Sequence, residues 1–215
     1  MNPRASILTA IRAGLGTPRA APEFIAVEAA GLLDAPDTTR PRLAAPTLSE
    51  AFAIKVQALG ATVDRIASMD AVPRAVRRYI DAQGVPPAIA LQPAPAFARL
   101  DWSSLLTHTD LAADELAAVG LARWGVAESG SLIVHSDPVT PILLSFLPLH
   151  HIVVLRESDV VPYLEDYAGR LARGVHPRNA VLITGPSGTT DIEGSYVRGA
   201  HGPGFLHIIM VTDPS

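Results

Sequence analysis

The side chains able to do chemistry gather in a few short stretches of the C-terminal half. In residues 183–193 an apolar run ends at Thr184, a turn holds Gly185, Pro186 and Gly188, and Ser187, Thr189 and Thr190 add hydroxyls. Asp191 and Glu193 follow where the pattern predicts the first turn of a helix. Strand, glycine loop and helix start are the parts of an anion site: backbone N–H groups converge on the ligand and the helix N-terminus adds a favourable field. The stretch has neither the lysine-bearing spacing of a P-loop nor the Gly-x-Gly-x-x-Gly of a dinucleotide fold. On local physics alone a βα turn capped by Ser or Thr is the simpler reading.

A second stretch places Glu128, Ser129, Gly130 and Ser131 between two strand-like runs. A carboxylate beside hydroxyl donors can serve as nucleophile, general base or ligand contact. The same residues also suit a tight turn in which Gly130 takes a positive φ and the hydroxyls satisfy the backbone. Both readings stand. His151, at the entrance of a strand, and His201 with Gly202, in a glycine-rich loop, complete the candidates that can converge on the 184–190 loop. His151, His201 or His207 with Asp191 or Glu193 would suit zinc or manganese. No pair of these histidines has the i, i+4 helical spacing, so no metal is assigned.

The elements that must position these residues follow from periodicity. Residues 1–46 read as an N-terminal helix carrying Ile7, Leu8, Ile11 and Leu15, then a proline-rich arm with a short helix near 23–33. Residues 47–215 read as one α/β domain. Thr47 to Glu50 form a capping box, and Phe52 and Val56 follow at helical spacing. Strands are predicted over 61–67, 87–91, 119–123, 152–155, 180–183 and 206–211. Helices are predicted from about 70, over 110–118, over 141–147 as a fully buried helix, and from Ser158. Alternating strands and helices imply a layered fold with a mostly parallel sheet flanked by helices. In such sheets ligands sit beyond the carboxyl ends of the strands, and the 184–190 loop, following a strand, is predicted to lie there.

Composition narrows the function classes. A net charge of −4, with no dense Lys/Arg cluster, argues against a nucleic-acid surface. No cysteine is present, so these 215 residues offer no thiolate for zinc, for an iron–sulfur cluster or for nucleophilic catalysis. No run approaches the roughly 20 apolar residues of a membrane span, and the N-terminus lacks a signal-peptide pattern, so a cytoplasmic protein is expected.

Four motifs, VAESGSLIV at 126–134, LPLHHIVV at 147–154, ITGPSGTTDIE at 183–193 and GAHGPGFLHIIMV at 199–211, resemble the lactate-utilisation protein C family, or LUD domain. The resemblance implies a fold similar to CoA transferases, ribose-5-phosphate isomerase and glucosamine-6-phosphate deaminase. It implies a part in oxidising lactate to pyruvate, with the redox centres in partner iron–sulfur oxidoreductase subunits and no cofactor in this chain. By position, the family's motif residues are here Glu128, Ser129, Gly130, Ser131, His151, Ser187, Thr189, Asp191, Glu193, His201 and Gly202. Serine stands at 129 and 131 where the family often has threonine. Gly188 stands where a basic residue is common, which removes a counter-charge for an anion. The expectation is an accessory or ligand-binding, non-redox subunit with a small-anion pocket at the 184–190 loop. The alternative is a stand-alone transferase, isomerase or hydrolase using Glu128.

Overall fold

The structure is a computed structural model and describes residues 3–15, 20–190 and 196–212. Two compact units divide the chain, Met1–Pro41 and Arg42–Ser215. The first holds helices α1 (Pro3–Gly14) and α2 (Pro22–Asp34) and a 3-10 turn at Pro36–Thr38. Pro22 opens α2 at the position where its missing N–H is not needed. Neither helix buries a residue, and Ile7, Ile11, Leu15, Phe24 and Leu33 stay exposed.

The second unit opens with α3 (Leu48–Ala58). The Thr47 hydroxyl accepts from the Glu50 N–H at 3.3 Å, which is one half of the predicted capping box, and the Glu50 carboxylate accepts from that hydroxyl at 2.8 Å in place of the Thr47 N–H. Then come β1 (Thr62–Ile66), α4 (Val72–Gln83), β2 (Ala88–Leu91), the short α5 (Pro95–Ala98), β3 (Leu106–His108) and β4 (Ala117–Leu121). They are followed by β5 (Trp124–Val126), β6 (Ser131–His135), β7 (His150–Arg156), β8 (Val160–Val161) and α6 (Leu164–Ala172). The chain finishes with β9 (Ala180–Ile183), β10 (Gly188–Thr190), β11 (Tyr196–Arg198) and β12 (Phe205–Val211).

Six strands form a wholly parallel sheet in the order β1-β12-β7-β4-β2-β3. The central strands β7 and β12 are continuous apolar runs because both of their faces are covered. Ile152, Val154, Ile209 and Val211 point to the side of α4, where Val76, Tyr79 and Ile80 meet them. Val153, Leu155, Ile208 and Met210 point to the other side, against Phe52 and Val56 of α3 and Leu132 of β6. A second, four-stranded sheet, β8-β5-β6-β9, forms part of that outer layer. The result is the layered α/β fold, with a parallel sheet flanked by helices, that the alternation predicts. Among the described residues no helix is long and apolar enough to cross a membrane.

Four predicted elements differ. The helix expected over 110–118 is absent: the Glu115 carboxylate accepts from the Ala112 N–H at 3.4 Å and sits 3.7 Å from His108, and Ala117–Val119 are buried as β4. Burial between neighbouring strands overrides alanine's helical preference. The buried helix over 141–147 is only a 3-10 turn, Ile142–Ser145, with Leu143 and Phe146 exposed. Pro148, which has no N–H to donate and disfavours a helical residue before it, stops the turn from extending. Val160 and Val161 form β8, not helix, and α6 starts beyond Pro162. Finally, β9 is no buried parallel strand. It pairs antiparallel with β6 at the edge of the second sheet, leaving Ala180 and Leu182 exposed.

Candidate functional site

The Glu128 turn connects β5 to β6, with Val126 opposite Ser131. The Gly130 N–H closes it on the Val126 carbonyl at 2.9 Å, and Gly130 has φ 70°. A Cβ there would stand 2.9 Å from the Val56 nitrogen and 3.0 Å from the Lys55 Cβ, so both conformation and the close approach of α3 require glycine. The Glu128 carboxylate accepts the Leu164 N–H at 2.7 Å, and the Glu128 N–H donates to the Pro162 carbonyl at 3.1 Å. Leu164 is the first residue of α6, so this carboxylate caps a helix whose N-terminal field favours a negative charge. Ser129 and Ser131 share a hydrogen bond of 2.8 Å, and Ser131 reaches the Thr184 hydroxyl at 2.7 Å. A chain of hydroxyls thus joins the turn to the end of β9.

Beyond Thr184 the chain turns at Gly185, φ 89°, where a Cβ would lie 3.2 Å from the Leu59 carbonyl oxygen. The Ser187 N–H donates to the Pro203 carbonyl at 2.8 Å, and the Gly199 N–H to the Ser187 carbonyl at 3.0 Å. A Cβ on Gly202 would sit 3.5 Å from that of Ser187. Residues 128–131, 184–187 and 199–203 therefore come together around the C-terminal end of α3 and the amino end of β12. Gly188, Thr189 and Thr190 are not loop but β10, paired antiparallel with β11, and Gly188 faces Arg198. The Arg198 guanidinium lies over the Phe205 ring, 4.9 Å from its centroid. Thr184, Thr189 and His201 are exposed, and Ser187 is half-buried. Asp191 and Glu193, with the helix start predicted for them, lie outside the described residues.

His151 joins a different set. It is 1% exposed within β7, and among the described residues its Nδ1 has no hydrogen-bond partner. Burial lowers its pKa to about 4, so the ring is neutral at ordinary pH. His207 is also buried, stacked on Tyr79 at 4.1 Å and bonded through Nδ1 to Thr62 at 2.7 Å. Among the described residues no three His, Asp or Glu side chains group as a metal ligand set.

Residues 49–211 match the LUD domain. The chain belongs to the LUD domain family. Similar proteins include lactate utilization protein C of Geobacillus thermodenitrificans, 36% identical over 119 residues, which cover 52% of this chain and 50% of that one. The uncharacterized protein YkgG of Escherichia coli is 32% identical over 119 residues, covering 52% of each. The chain spans about half the length of the curated relatives it matches. The crystal structure of a DUF162 family protein from Deinococcus radiodurans shares the fold, with TM-score 0.57 and 22% identity over 76% of this chain and 96% of that one.

At the other end of the parallel sheet of this LUD domain lies a cleft of about 260 Å³. It is walled by Gln92 after β2, Arg123 after β4, Arg156 at the end of β7, and His135, Thr140 and Asp159. This is the carboxyl-end address where open α/β sheets bind ligands, and the 184–187 loop occupies the opposite end. The Gln92 side chain accepts the Leu121 N–H at 2.8 Å and donates to the Thr140 hydroxyl at 2.8 Å. Burial raises the Asp159 pKa against the opposing fields of Arg123, Arg156 and Arg170. Burial and then Arg123 lower the His135 pKa against Asp137, and its Nε2 lies 3.0 Å from the Tyr167 hydroxyl. Sequence reasoning missed this set. Gln92, Arg123, His135 and Arg156 each end or closely follow an apolar strand-like run, which is the signal that could have found them.

Proposed function

We propose that this LUD domain chain is a non-redox, ligand-binding subunit in cytoplasmic lactate utilisation, acting with iron–sulfur oxidoreductase partners. The supporting observation is the juxtaposition of three sequence-distant stretches on one face by the Ser131–Thr184 and Ser187–Pro203 hydrogen bonds. Relatives named lactate utilization protein C point to the process. Oxidising lactate to pyruvate removes two electrons and two protons, which a redox group must accept. The 215 residues contain no cysteine to hold a cluster, so in this reading the electrons pass to the partners. In this reading a small anion is bound over residues 184–190, the 184–187 turn and the β10 strand after it, where the Thr184 and Thr189 hydroxyls are exposed and Ser187 lies beside Gly202. Glu128 acts as the cap that holds the loop's neighbours in place, in preference to a nucleophile of a CoA-transferase-like enzyme.

Deleting the chain and measuring growth on lactate tests this, together with co-purification of a tagged copy. Loss of growth, restored by the intact gene, and recovery of an iron–sulfur protein with the tag are expected. Normal growth without the chain, and a tag that elutes alone, overturn the proposal.

A further inference from the structure

We propose that the carboxyl-end cleft bounded by Arg123, Arg156, Gln92 and Thr140 is a second ligand site, which binds a small monocarboxylate bearing an oxygen on its α-carbon. Its choice of a 2-hydroxy or 2-oxo acid rests on the lactate reading above; the site itself rests on geometry. Three guanidinium groups, Arg123, Arg156 and Arg170, act on a region with two carboxylates, Asp137 and Asp159. Among the described residues neither Arg123 nor Arg156 has an ion pair or a side-chain hydrogen bond, and Arg123 lies over Trp124 at 4.9 Å. Two guanidinium forks with unused donors, at the ends of adjacent strands β4 and β7, suit the two oxygens of a carboxylate. The cleft, about 260 Å³, has room for a small acid.

The inner wall adds discrimination. Gln92 Nε2 donates to the Thr140 oxygen, so the Thr140 hydrogen is left to donate to a ligand oxygen. Behind this pair lies a small cavity of about 10 Å³, room for one water, which shares Gln92, Leu121 and Thr140 with the cleft. His151 lines that cavity and is fully buried, with its Nε2 on the side of Gly120 and the Gln92 side chain. The arginines hold the carboxylate, Thr140 bonds the α-oxygen, and a water between Thr140 and His151 completes the contact.

Calorimetric titration of the full chain with lactate, pyruvate, propionate and acetate tests the site. Lactate and pyruvate should bind, propionate and acetate more weakly. Arg156→Gln and, separately, the exposed Arg123→Gln should each weaken binding by about tenfold or more, as expected for a charge-assisted hydrogen bond. Thr140→Ser should retain the preference for the α-oxygen. Arg74→Gln, an exposed guanidinium on α4 outside both sites, should bind as the unaltered chain does. Absence of saturable binding by any of these acids, or unchanged affinity in folded Arg123→Gln, overturns the site. Equal binding of lactate and propionate overturns the assigned ligand class. A chain that binds these acids but is dispensable for growth on lactate removes the lactate role and leaves the site standing.

Discussion

The Glu128 carboxylate lies 2.7 Å from the Leu164 N–H, so its contribution separates into charge and acceptor. Glu128→Gln keeps the acceptor and loses only the favourable interaction with the helix field, which costs about 0.5 kcal/mol. Glu128→Ala leaves the Leu164 N–H without its acceptor, while Asp166 still accepts the Tyr163 N–H, and costs about 1 kcal/mol. Urea denaturation of both variants checks the difference, and equal losses would remove the capping role. At Gly130, alanine combines a positive φ with a contact 2.9 Å from a backbone nitrogen. Gly130→Ala is expected to cost more than about 2 kcal/mol, read by the same denaturation. His151 and His207 set the acid limb of stability. Burial holds both folded pKa values near 4, below the ordinary 6.5, so each contributes fully above pH 6.5 and its contribution falls as pH drops toward 4. The shift corresponds to roughly 3 kcal/mol per ring. A pH series of denaturation midpoints should show this loss. A flat profile between pH 6.5 and 4 would contradict it.

At the scale of elements, Gly125 marks the place where β5 lies against the main sheet and α3. A Cβ there would approach the Leu155 Cδ2 to 2.8 Å and the Phe52 ring to 3.0 Å. Gly125→Ala should therefore overpack the outer layer and cost about 1–3 kcal/mol, measurable as a lowered denaturation midpoint. The interior elements were legible because their physics is local. β7 and β12 announce themselves as unbroken apolar runs, α4 by its single stripe and α3 by its Thr47–Glu50 box. β9 reads the same way as β7 along the chain, and only its antiparallel partner β6 makes it an exposed edge. The β10–β11 hairpin was hidden because Gly188 argues against a strand. The hydroxyls of the motif loops were visible as residue types, but their bonds to each other depend on contacts 53 residues apart, as between Ser131 and Thr184. The cleft residues were invisible as a motif because they come from the ends of different strands.

On the scale of the whole second unit, the parallel sheet has two chemically different ends. Near its amino end the three motif stretches form a face of hydroxyls and glycine turns beside α3. At its carboxyl end Arg123 and Arg156 flank a small cleft with Thr140 and His151 behind it. The proposed small-anion pocket and the proposed second ligand site lie at these two ends, with the parallel strands as a spacer between them. In the proposed reading, the subunit positions a small acid and leaves electron transfer to other chains. The most direct test is reconstitution. The purified chain is combined with the iron–sulfur partner fraction, and lactate-dependent reduction of a dye acceptor is followed. The rate should require both components and should fall at least about tenfold with Arg156→Gln. Full lactate-dependent reduction by the iron–sulfur fraction alone would contradict the assignment.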